Sequence, residues 1–592
     1  MMFVILLFMF QFTGVMKEQL SEYESNEYAD DTTTSFQRSD AFLAEQTSDD
    51  ACEVIYVGEA GGAEESVVKT WCSYRKRTFF CSSSLALLDS LQDDALQVLV
   101  VDGSKVTSEE EVAVLRREAQ MGVTVIFATL PQSSVIREYR DLRELLGIRA
   151  VIADEIPLAG MHLFSGFLLG GEEIYEVTEL GEEERQDMNP SVPWYTTGAG
   201  TKTYMVGLLD QSKQKETVEN EELPTLIWRN GIRNGSIFCV VGDYMKDSTA
   251  LGLLDGMVAE ASSYYIYPVV NVQNLSMINF PVFADENNEQ MMELYSQSIT
   301  GMARDIMWPS LISIVEKGGL KMTCFMQPQT NYKDGIEPTS RDLVFYLKQM
   351  KEQNAEAGLS LQYKNAESLR DKLNQDAEFF RKADSSYKYG AAYTEEKDLD
   401  TVKALMNTEL MKNVSTLVCE YTEDEPVISY CTDSVTLQSV TSDGMNYTYS
   451  DDIRMRSIQS SLGYTNVMLN MQKIFWPERK KDRWQIMQKR FSSNLLTYWK
   501  NFTGFDSTTL SESNTRTRTF LNLDFSETRT DDEIILKTSE SGSWFILRTH
   551  GEEIEEIEGG TQKKLEDNVY LIQAQDTTVK IQVKTAGLHY SK

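Results

Sequence analysis

The sequence has few of the side chains on which nucleic-acid binding, disulfide scaffolds and imidazole chemistry depend. Lys and Arg number 56 against 91 Asp and Glu, which gives a formal net charge of -35. This balance argues against nucleic acid and anionic lipid as partners and is compatible with a cationic ligand. Seven cysteines in 592 residues are too few for a disulfide scaffold, and the candidate pairs are Cys72 with Cys81 and Cys419 with Cys431. Histidine occurs three times, at positions 162, 550 and 589, and His162 stands alone in an apolar strand, where a histidine is usually structural.

The chain is long and apolar enough to form several folded domains, since 41% of its residues are hydrophobic. It begins with the apolar run MMFVILLFMFQFTGVM, which predicts a signal-anchor over residues 1–17; a cleaved signal peptide is the alternative. Residues 18–50 are polar and acidic and predict a tether. We therefore expect the rest of the chain outside the cytoplasm, held at the cell membrane by this single anchor or secreted after cleavage.

Residues 51–262 alternate buried strand patterns with amphipathic helices. The predicted strands are Cys52–Glu59, Ala95–Gly103 and Val123–Pro131, and a helix over Glu109–Gly122 ends at a glycine. Continuous apolar strands that alternate with helices predict a three-layer α/β domain with a parallel sheet. The stretch resembles the glutamine-amidotransferase-like modules of carbohydrate-active proteins, although no strand here ends in the cysteine that those enzymes use.

Residues 263–515 repeat strand and helix patterns in the order of a β/α barrel or a doubly wound sheet. The strand pattern INFPVFADENNE ends in Asp285 and Glu286, and the helix IMWPSLISIVEKGG leads to the strand Lys321–Met326. A further helix from Leu343 leads to a short strand that ends near Tyr363. The pattern predicts a site where the strands end, because β/α barrels place their sites there.

The segments GGLKMTCF (residues 318–325) and AEAGLS (residues 355–360) resemble conserved elements of the NodB-type polysaccharide deacetylases. The resemblance implies a distorted β/α barrel and, in the family, a metal held by two histidines and an aspartate. The positions of those histidines fall near Ser360 and Lys364, and no histidine lies between Ile278 and Tyr363. A hydroxyl is a poor ligand for zinc and an ammonium repels it, so we expect neither a metal site nor a cofactor.

Residues 516–592 carry short alternating strand patterns separated by turns, which predict a small β-sandwich. The predicted fold class is therefore an α/β multidomain protein. It consists of an amidotransferase-like three-layer α/β domain, a deacetylase-like distorted β/α barrel and a C-terminal β-sandwich.

The order of these segments, with FQFTGVMKEQLSEYESNEY and ARDIMWPSL, resembles an uncharacterised membrane-anchored family encoded beside Pel-type exopolysaccharide genes in Gram-positive bacteria. The resemblance implies a role in making, modifying or exporting a cell-surface amino-sugar polymer. The expected partners are a cationic amino-sugar polysaccharide and a membrane synthase, with no nucleic acid.

The carboxylates near predicted strand ends are the candidate catalytic residues: Asp285, Glu286, Asp305, Glu356 and Glu420. The candidate binding residues are Asp285, Gln329, Asn331 and Tyr332. Two of the acids have structural alternatives, since Asp305 could pair with Arg304 at a surface helix end and Glu356 could be solvated at a helix end.

Three functions remain open from the sequence. The favoured one is a non-catalytic, deacetylase-like protein that binds the polymer or a synthase partner. The second is a hydrolase or lyase that uses carboxylates alone, since two opposed carboxylates suffice for glycoside hydrolysis. The third is a deacetylase with an unusual metal site, which the scarcity of histidine disfavours.

Overall fold

The computed structural model describes residues 52–89, 96–177, 185–188, 190–210, 218–383 and 385–585. The predicted signal-anchor (residues 1–17) and tether (residues 18–50) lie outside this part of the chain. Within the described ranges, no helix combines the length and the apolar character that crossing a bilayer requires.

The N-terminal unit is built on a nine-stranded mixed sheet with the order β2-β1-β3-β4-β11-β10-β9-β6-β7, and β5 and β8 form a separate pair. Its strands are β1 (Val54–Val57), β2 (Phe79–Ser82), β3 (Val98–Asp102), β4 (Thr124–Thr129), β5 (Ile148–Pro157), β6 (Gly160–Leu163), β7 (Glu173–Tyr175), β8 (Ser191–Thr197), β9 (Thr201–Leu208), β10 (Thr225–Ile232) and β11 (Gly235–Val240). Its helices are α1 (Ala63–Arg75), α2 (Glu109–Met121), α3 (Ser133–Glu138), α4 (Arg140–Leu146) and α5 (Thr249–Ala261).

The helix α2 shows how local sequence sets these boundaries. Ser108 and Glu111 form a capping box at its start, and Gly122 ends it with a φ of 109°, a conformation that glycine adopts without a steric penalty. The predicted helix over Glu109–Gly122 is confirmed. The predicted parallel sheet is present as β1 to β4 and β11, and an antiparallel half, β10-β9-β6-β7, extends it.

The central unit is a curled, ten-stranded half-barrel with the order β18-β19-β17-β16-β15-β14-β13-β21-β20, and β22 pairs with β13. Its strands are β13 (Val272–Ile278), β14 (Thr323–Met326), β15 (Glu356–Ser360), β16 (Ala391–Thr394), β17 (Thr416–Cys419), β18 (Ile428–Thr432), β19 (Val435–Ser439), β20 (Ser442–Asp443), β21 (Tyr464–Asn470) and β22 (Ser507–Thr508). Its helices are α6 (Asn288–Tyr295), α7 (Ile299–Met302), a π-helical turn (Ala303–Met307), α8 (Trp308–Gly318), α9 (Leu343–Glu352), α10 (Leu369–Lys382), α11 (Leu399–Lys403), α12 (Tyr449–Leu462), α13 (Gln472–Phe475), α14 (Trp484–Asn501) and α15 (Leu510–Asn522).

The helix α15 covers the amino edge of this half-barrel, where the strands begin. Its first residue, Leu510, donates its backbone N–H to Thr323 Oγ1 at the start of β14 (3.0 Å). Inside, the Asn274 amide nitrogen lies 3.1 Å from Ser513 Oγ, and the Thr436 hydroxyl donates to Asn514 Oδ1 over 2.8 Å. Within the part of the chain that the structure describes, the amino edge is therefore closed by a buried polar network.

The C-terminal unit consists of two four-stranded antiparallel sheets, β12-β25-β28-β27 and β23-β24-β29-β26. Its strands are β12 (Tyr264–Val269), β23 (Phe525–Arg529), β24 (Glu533–Thr538), β25 (Trp544–Thr549), β26 (Glu552–Glu558), β27 (Gly560–Glu566), β28 (Val569–Ala574) and β29 (Thr578–Thr585). The predicted barrel begins at residue 263, but the first strand after that position, β12, pairs with β25 of the C-terminal unit, and the barrel strand β13 begins after Asn271. Asn271 has a φ of 60°, which breaks the strand between the two sheets.

The guanidinium of Arg75 holds these units together. It forms a buried ion pair with Asp255 of α5, and its other nitrogens donate to the backbone oxygens of Pro268 and Ser461. The Trp71 indole also donates to Asp255, over 2.9 Å. One buried side chain thus links the N-terminal domain to β12 and to the barrel helix α12.

The expected disulfides are absent, because none of the seven cysteines forms a disulfide, and all seven lie in the described ranges. Cys419 lies on β17 and Cys431 on β18, and β19 separates these two strands in the sheet. Two strands apart corresponds to about 10 Å, which exceeds the Cα separation that a disulfide can bridge. The predicted pairing of Cys72 with Cys81 is also wrong. Cys72 is buried on α1, whereas Cys81 lies on the edge strand β2.

Candidate functional site

The first polar residue after several barrel strands is a carboxamide. Asn279 follows β13 and Gln327 follows β14, Gln362 lies two residues beyond β15, Asn470 is the last residue of β21, and Gln472 begins α13. The carboxyl ends of parallel strands meet at one edge of a sheet, so these side chains converge there. We call these five residues the amide cluster.

Asn279 is the centre of the amide cluster. Its amide nitrogen donates to Gln362 Oε1, to Asn470 Oδ1 at 3.1 Å and to Gln472 Oε1 at 3.4 Å. Its amide oxygen accepts from Ser360 Oγ at 2.6 Å. Asn279 is 1% exposed and has a φ of 58°, which turns the chain sharply away from β13. One buried amide therefore fixes three further carboxamides at the carboxyl edge.

Gln327 brings an unsatisfied acceptor to the same cluster. Its amide nitrogen donates to the backbone oxygen of Gln362 over 3.0 Å. Its Oε1 is buried and has no hydrogen-bond partner within the described ranges. A buried acceptor without a donor costs about 1–3 kcal/mol, so this edge has an unused capacity to accept a hydrogen bond.

Aromatic rings flank the amides. Tyr363 follows Gln362 directly and is 36% exposed. The Lys364 ammonium lies 5.6 Å from the centre of the Trp476 ring, four residues beyond Gln472. A cluster of donors and acceptors beside accessible ring faces suits a ligand with hydroxyl groups and apolar C–H faces.

Asp285 does not end a strand, contrary to the prediction. The strand β13 stops at Ile278, and Asp285 lies seven residues later in an exposed part of the following loop. Its Oδ1 accepts from the backbone N–H of Thr300 at 3.0 Å and from the Thr300 hydroxyl at 2.7 Å. The prediction assumed that the apolar pattern continued as a strand, whereas Asn279 bends the chain first.

Glu286 is buried and joins the loops that follow β13 and β14. Its carboxylate accepts from the backbone N–H groups of Thr330, at 3.0 and 3.1 Å, and of Asn331, at 2.6 Å. Burial raises the pKa of Glu286 above its ordinary value, and these hydrogen bonds only partly offset the effect. With both oxygens engaged by backbone, Glu286 positions the Gln329–Tyr332 loop.

The remaining predicted acids lie apart from one another. Asp305 forms a surface ion pair with Arg304 at 2.8 Å, which is the structural role that the sequence offered as an alternative to catalysis. Glu356 is not solvated at a helix end: it is the first residue of β15, fully buried at the amino edge, and its carboxylate accepts from the backbone N–H of Ser511 at 2.9 Å. Glu356 therefore faces away from the amide cluster.

Glu395 and Glu420 form a pair of carboxylates at the carboxyl edge. They follow β16 and β17, whose last residues Thr394 and Cys419 are in register. Loss of solvent around its carboxyl raises the pKa of Glu395, and repulsion from Glu420 adds to the shift. The sequence singled out Glu420 and missed Glu395.

The three predicted binding residues after β14 are largely occupied by protein contacts. The Tyr332 hydroxyl is buried and donates to Asp376 Oδ1 over 2.7 Å. Asn331 Oδ1 accepts from the Asn365 amide at 2.9 Å, and the Gln329 amide nitrogen lies 3.5 Å from the Asn331 backbone oxygen. Gln329 and Asn331 remain partly exposed, whereas Tyr332 supports the loop from beneath.

Behind the site lies a fully buried ion pair between Lys372 and Asp376, at 2.5 Å. Lys372 also donates to the backbone oxygen of Ser360, the residue that binds Asn279. Asp376 in turn holds Tyr332. This pair supports the carboxyl edge from the protein side.

The donor set does not fit the metal of NodB-type deacetylases. Ser360 offers a hydroxyl that is already bonded to Asn279, and Lys364 carries an ammonium over Trp476. Zinc sites are built from imidazole, thiolate and carboxylate, whereas this cluster offers neutral carboxamides. Within the described ranges, no group of three or more His, Cys, Asp and Glu residues is placed to hold a metal ion.

The sequence prediction missed the amide cluster. The signal was present: Asn279, Gln327, Gln362 and Asn470 are each among the first polar residues after an apolar strand pattern. The catalytic candidates from the sequence are carboxylates, because carboxylates can do acid–base chemistry, and its carboxamide candidates are Gln329 and Asn331 rather than the members of the amide cluster. Only the fold brings β21, and with it Asn470 and Gln472, beside β13.

The structure of a carbohydrate deacetylase supports this description of the fold. The chain shares its fold with Agd3, described as a novel carbohydrate deacetylase, with a TM-score of 0.52 and 8% identity over 90% of this chain and 99% of Agd3. A ThuA-like protein from Bacteroides uniformis aligns with 36% of this chain and 91% of its own, at 11% identity and a TM-score of 0.23. A β-galactosidase from Bacillus circulans aligns with 37% of this chain and 33% of its own, at 10% identity and a TM-score of 0.20.

No curated protein matches the sequence. A family model does match, over residues 201–571, which include the whole half-barrel and most of the C-terminal unit. The chain belongs to the DUF2194 family, described as uncharacterised proteins conserved in bacteria.

Proposed function

We propose that this protein binds an amino-sugar polysaccharide at the carboxyl edge of its half-barrel and does not itself modify the polymer. The observation that carries the proposal is the amide cluster, in which Asn279 fixes Gln362, Asn470 and Gln472 at the carboxyl edge. The fold shared with a carbohydrate deacetylase supports a polysaccharide as the ligand.

Carboxamides suit acetylated amino sugars because each one carries both a donor and an acceptor. A sugar hydroxyl or acetamido group can pair with the same side chains in several orientations. Tyr363, which is 36% exposed, adds a ring on which a sugar ring can stack. These groups bind without proton transfer, because a carboxamide does not titrate near neutral pH.

Charge favours a partially deacetylated and hence cationic polymer. The chain has a net charge of -35; Glu395 and Glu420 lie at the surface of the carboxyl edge, and Asp285 is exposed in the loop that follows β13. Exposed carboxylates attract ammonium groups over a range that salt shortens, so high salt should weaken the complex.

The cellular setting follows from the N-terminal sequence and the resemblance to proteins encoded beside Pel-type genes. We place the folded units outside the cytoplasm, on an anchor over residues 1–17 or after its cleavage. There the protein would act as an accessory to the synthesis or export of a cell-surface polymer, beside a membrane synthase.

The test is calorimetric titration of the purified chain with tetramers of N-acetylglucosamine, fully and partially deacetylated. Asn279→Ala should weaken binding at least about tenfold, since it frees three carboxamides and removes the partner of Ser360. Asn220→Ala is the matched control, because Asn220 is exposed in the N-terminal domain. Unchanged affinity in a folded Asn279→Ala variant, or acetate release that Asn279→Ala abolishes, would overturn the binding proposal.

One observation favours a second candidate, a glycoside hydrolase. Glu395 and Glu420 follow neighbouring strands in register, whose backbones lie about 4.8 Å apart; this backbone spacing is compatible with the ~5–5.5 Å between the carboxyl groups of retaining enzymes. The raised pKa of Glu395 suits a general acid. New reducing ends that vanish in both Glu395→Gln and Glu420→Gln would establish the hydrolase, and their absence in the wild type would eliminate it.

A further inference from the structure

An open cleft of about 840 Å³ lies between the N-terminal sheet and the C-terminal β-sandwich, away from the carboxyl edge of the half-barrel. Its lining comes from β9, β10 and the end of α5 on one side, and from the β23–β24 and β25–β26 turns on the other. We call it the interdomain cleft. Ligand sites are frequent between folded units, and the volume falls in the range of small-molecule sites.

The first wall is organised by Glu260, whose side chain is 12% exposed. Its Oε2 accepts from Lys202 Nζ at 2.7 Å and from the Tyr204 hydroxyl at 2.9 Å, and Arg229 donates to its backbone oxygen. Burial alone would raise the pKa of Glu260, but the bonds from Lys202 and Tyr204 outweigh it and hold the pKa below its ordinary value. Glu260 is thus a fixed carboxylate between two cations.

The second wall repeats this arrangement on the C-terminal unit. Both terminal nitrogens of Arg529 donate to the Glu552 carboxylate, at 2.6 and 3.0 Å. The Arg529 guanidinium also lies 5.0 Å from the centre of the Tyr264 ring, which fixes its plane. His550 Nε2 lies 2.8 Å from the Ala259 backbone oxygen and ties the turn to the end of α5.

The lining balances its charges. Lys202, Arg229 and Arg529 face Glu260, Asp531 and Glu552, in a chain whose overall charge is strongly negative. Charged ligands would have to compete with ion pairs that already exist. Apart from the His550 imidazole, the lining residues in the described part of the chain carry no aromatic ring and no large apolar side chain.

We propose that the interdomain cleft binds a short, uncharged stretch of a saccharide chain through vicinal hydroxyl groups. Paired guanidinium and carboxylate groups present fixed donors and acceptors side by side, which match adjacent hydroxyls that each donate and accept. The choice of an amino-sugar chain as the ligand rests on the proposed function. Together with the amide cluster, the cleft would hold one polymer chain at two places, which raises the avidity for long chains without a new contact.

The experiment is calorimetric titration of the full chain with the fully acetylated N-acetylglucosamine tetramer. The wild type should bind the tetramer at two sites per chain. Asn279→Ala should lose binding at the amide cluster. The double variant Lys202→Ala with Arg529→Ala should bind at least tenfold more weakly in the interdomain cleft. Lys580→Ala serves as the control, because Lys580 pairs with Glu558 at an exposed surface of the β-sandwich.

The outcomes separate this proposal from the proposed function. A single wild-type site that Asn279→Ala abolishes would overturn the cleft and leave the proposed function standing. A single wild-type site that only the double variant Lys202→Ala with Arg529→Ala abolishes would overturn binding at the amide cluster and leave binding in the cleft standing. If that variant does not fold, hydrogen exchange on the wild type decides: the tetramer should protect the turns around residues 530 and 550, and unchanged exchange there would overturn the cleft.

Discussion

The two edges of the half-barrel are both polar, yet they are built for different purposes. At the amino edge, Glu356 and the residues of α15 form a closed network from which solvent is excluded. At the carboxyl edge, the network around Asn279 opens toward Tyr363 and Lys364 at the surface. Polarity alone therefore does not mark a site. What distinguishes the carboxyl edge is that its hydrogen-bonding groups adjoin side chains that are exposed at the surface, among them the ring of Tyr363.

The largest expected effect belongs to the amino edge. Glu356→Ala should reduce the free energy of unfolding by about 4 kcal/mol, because the backbone N–H and hydroxyl of Ser511 both lose a buried, charged acceptor. Saccharide affinity of the folded fraction should not change. Chemical denaturation measures the free energy of unfolding, and calorimetry measures the saccharide affinity. Glu356→Gln keeps one acceptor oxygen and should therefore lose less unfolding free energy than Glu356→Ala. A loss of affinity at unchanged stability would place Glu356 in a binding site and break the comparison.

Behind the carboxyl edge, Lys372→Met should reduce the free energy of unfolding by about 3 kcal/mol, since it leaves the Asp376 carboxylate buried without its cation. Here affinity should fall as well, because Lys372 holds the backbone of Ser360 and Asp376 holds Tyr332. The double variant Lys372→Met with Asp376→Leu is the matched control and should recover much of the stability. If the single variant loses stability but binds normally, the ion pair does not position the amide cluster.

Glu286 makes stability at the carboxyl edge depend on pH. Its pKa in the folded protein lies above the ordinary value of 4.5, so the native state keeps this proton to a higher pH than the unfolded chain does. The contribution of Glu286 to the free energy of unfolding is therefore fully present below pH 4.5. It is lost as the pH rises through the raised pKa.

The measurement compares denaturation of the wild type and of Glu286→Gln from about pH 4 to about pH 7. Glutamine does not titrate, and its NH₂ group opposes the N–H groups of Thr330 and Asn331, so the variant should be less stable at low pH. The difference in the free energy of unfolding between the wild type and Glu286→Gln should shrink as the pH rises. A deficit that grows with pH would mean that the Glu286 carboxylate is favoured in the folded state.

Much of the fold could be predicted from local patterns. The α/β repeat of the first unit, the helix over Glu109–Gly122 and the buried stripe of α14 follow from periodicity, which neighbouring residues determine. The strands β26 and β27 lack an apolar strand pattern, because EEIEEIE and GTQKKLE are mostly charged and polar. They form strands because β29 and β28 provide their partners, and a local pattern does not contain that information.

The site was harder to predict than the fold because it depends on where each strand ends. Counting INFPVFADE as one strand placed Asp285 at the carboxyl edge, whereas Asn279 already turns the chain at the first polar residue. A single polar residue inside an otherwise apolar run was treated as part of the strand. The parallel pairing of β13 with β21, between residues almost 200 positions apart in the chain, then decides which amides meet.

Asp285 therefore gives the smallest expected effect and the sharpest contrast with Asn279. Asp285→Asn should change the free energy of unfolding by less than about 0.5 kcal/mol, because asparagine keeps an oxygen that can accept from Thr300. At low salt, affinity for the partially deacetylated tetramer should fall by about twofold, since one exposed charge near the site is lost. The loss should disappear near 1 M salt, where the Debye length is about 3 Å. The fully acetylated tetramer carries no ammonium and should bind both proteins equally. A tenfold loss that persists in high salt would instead mean that Asp285 contacts the sugar directly, and the site would then extend from the amide cluster into the loop after β13.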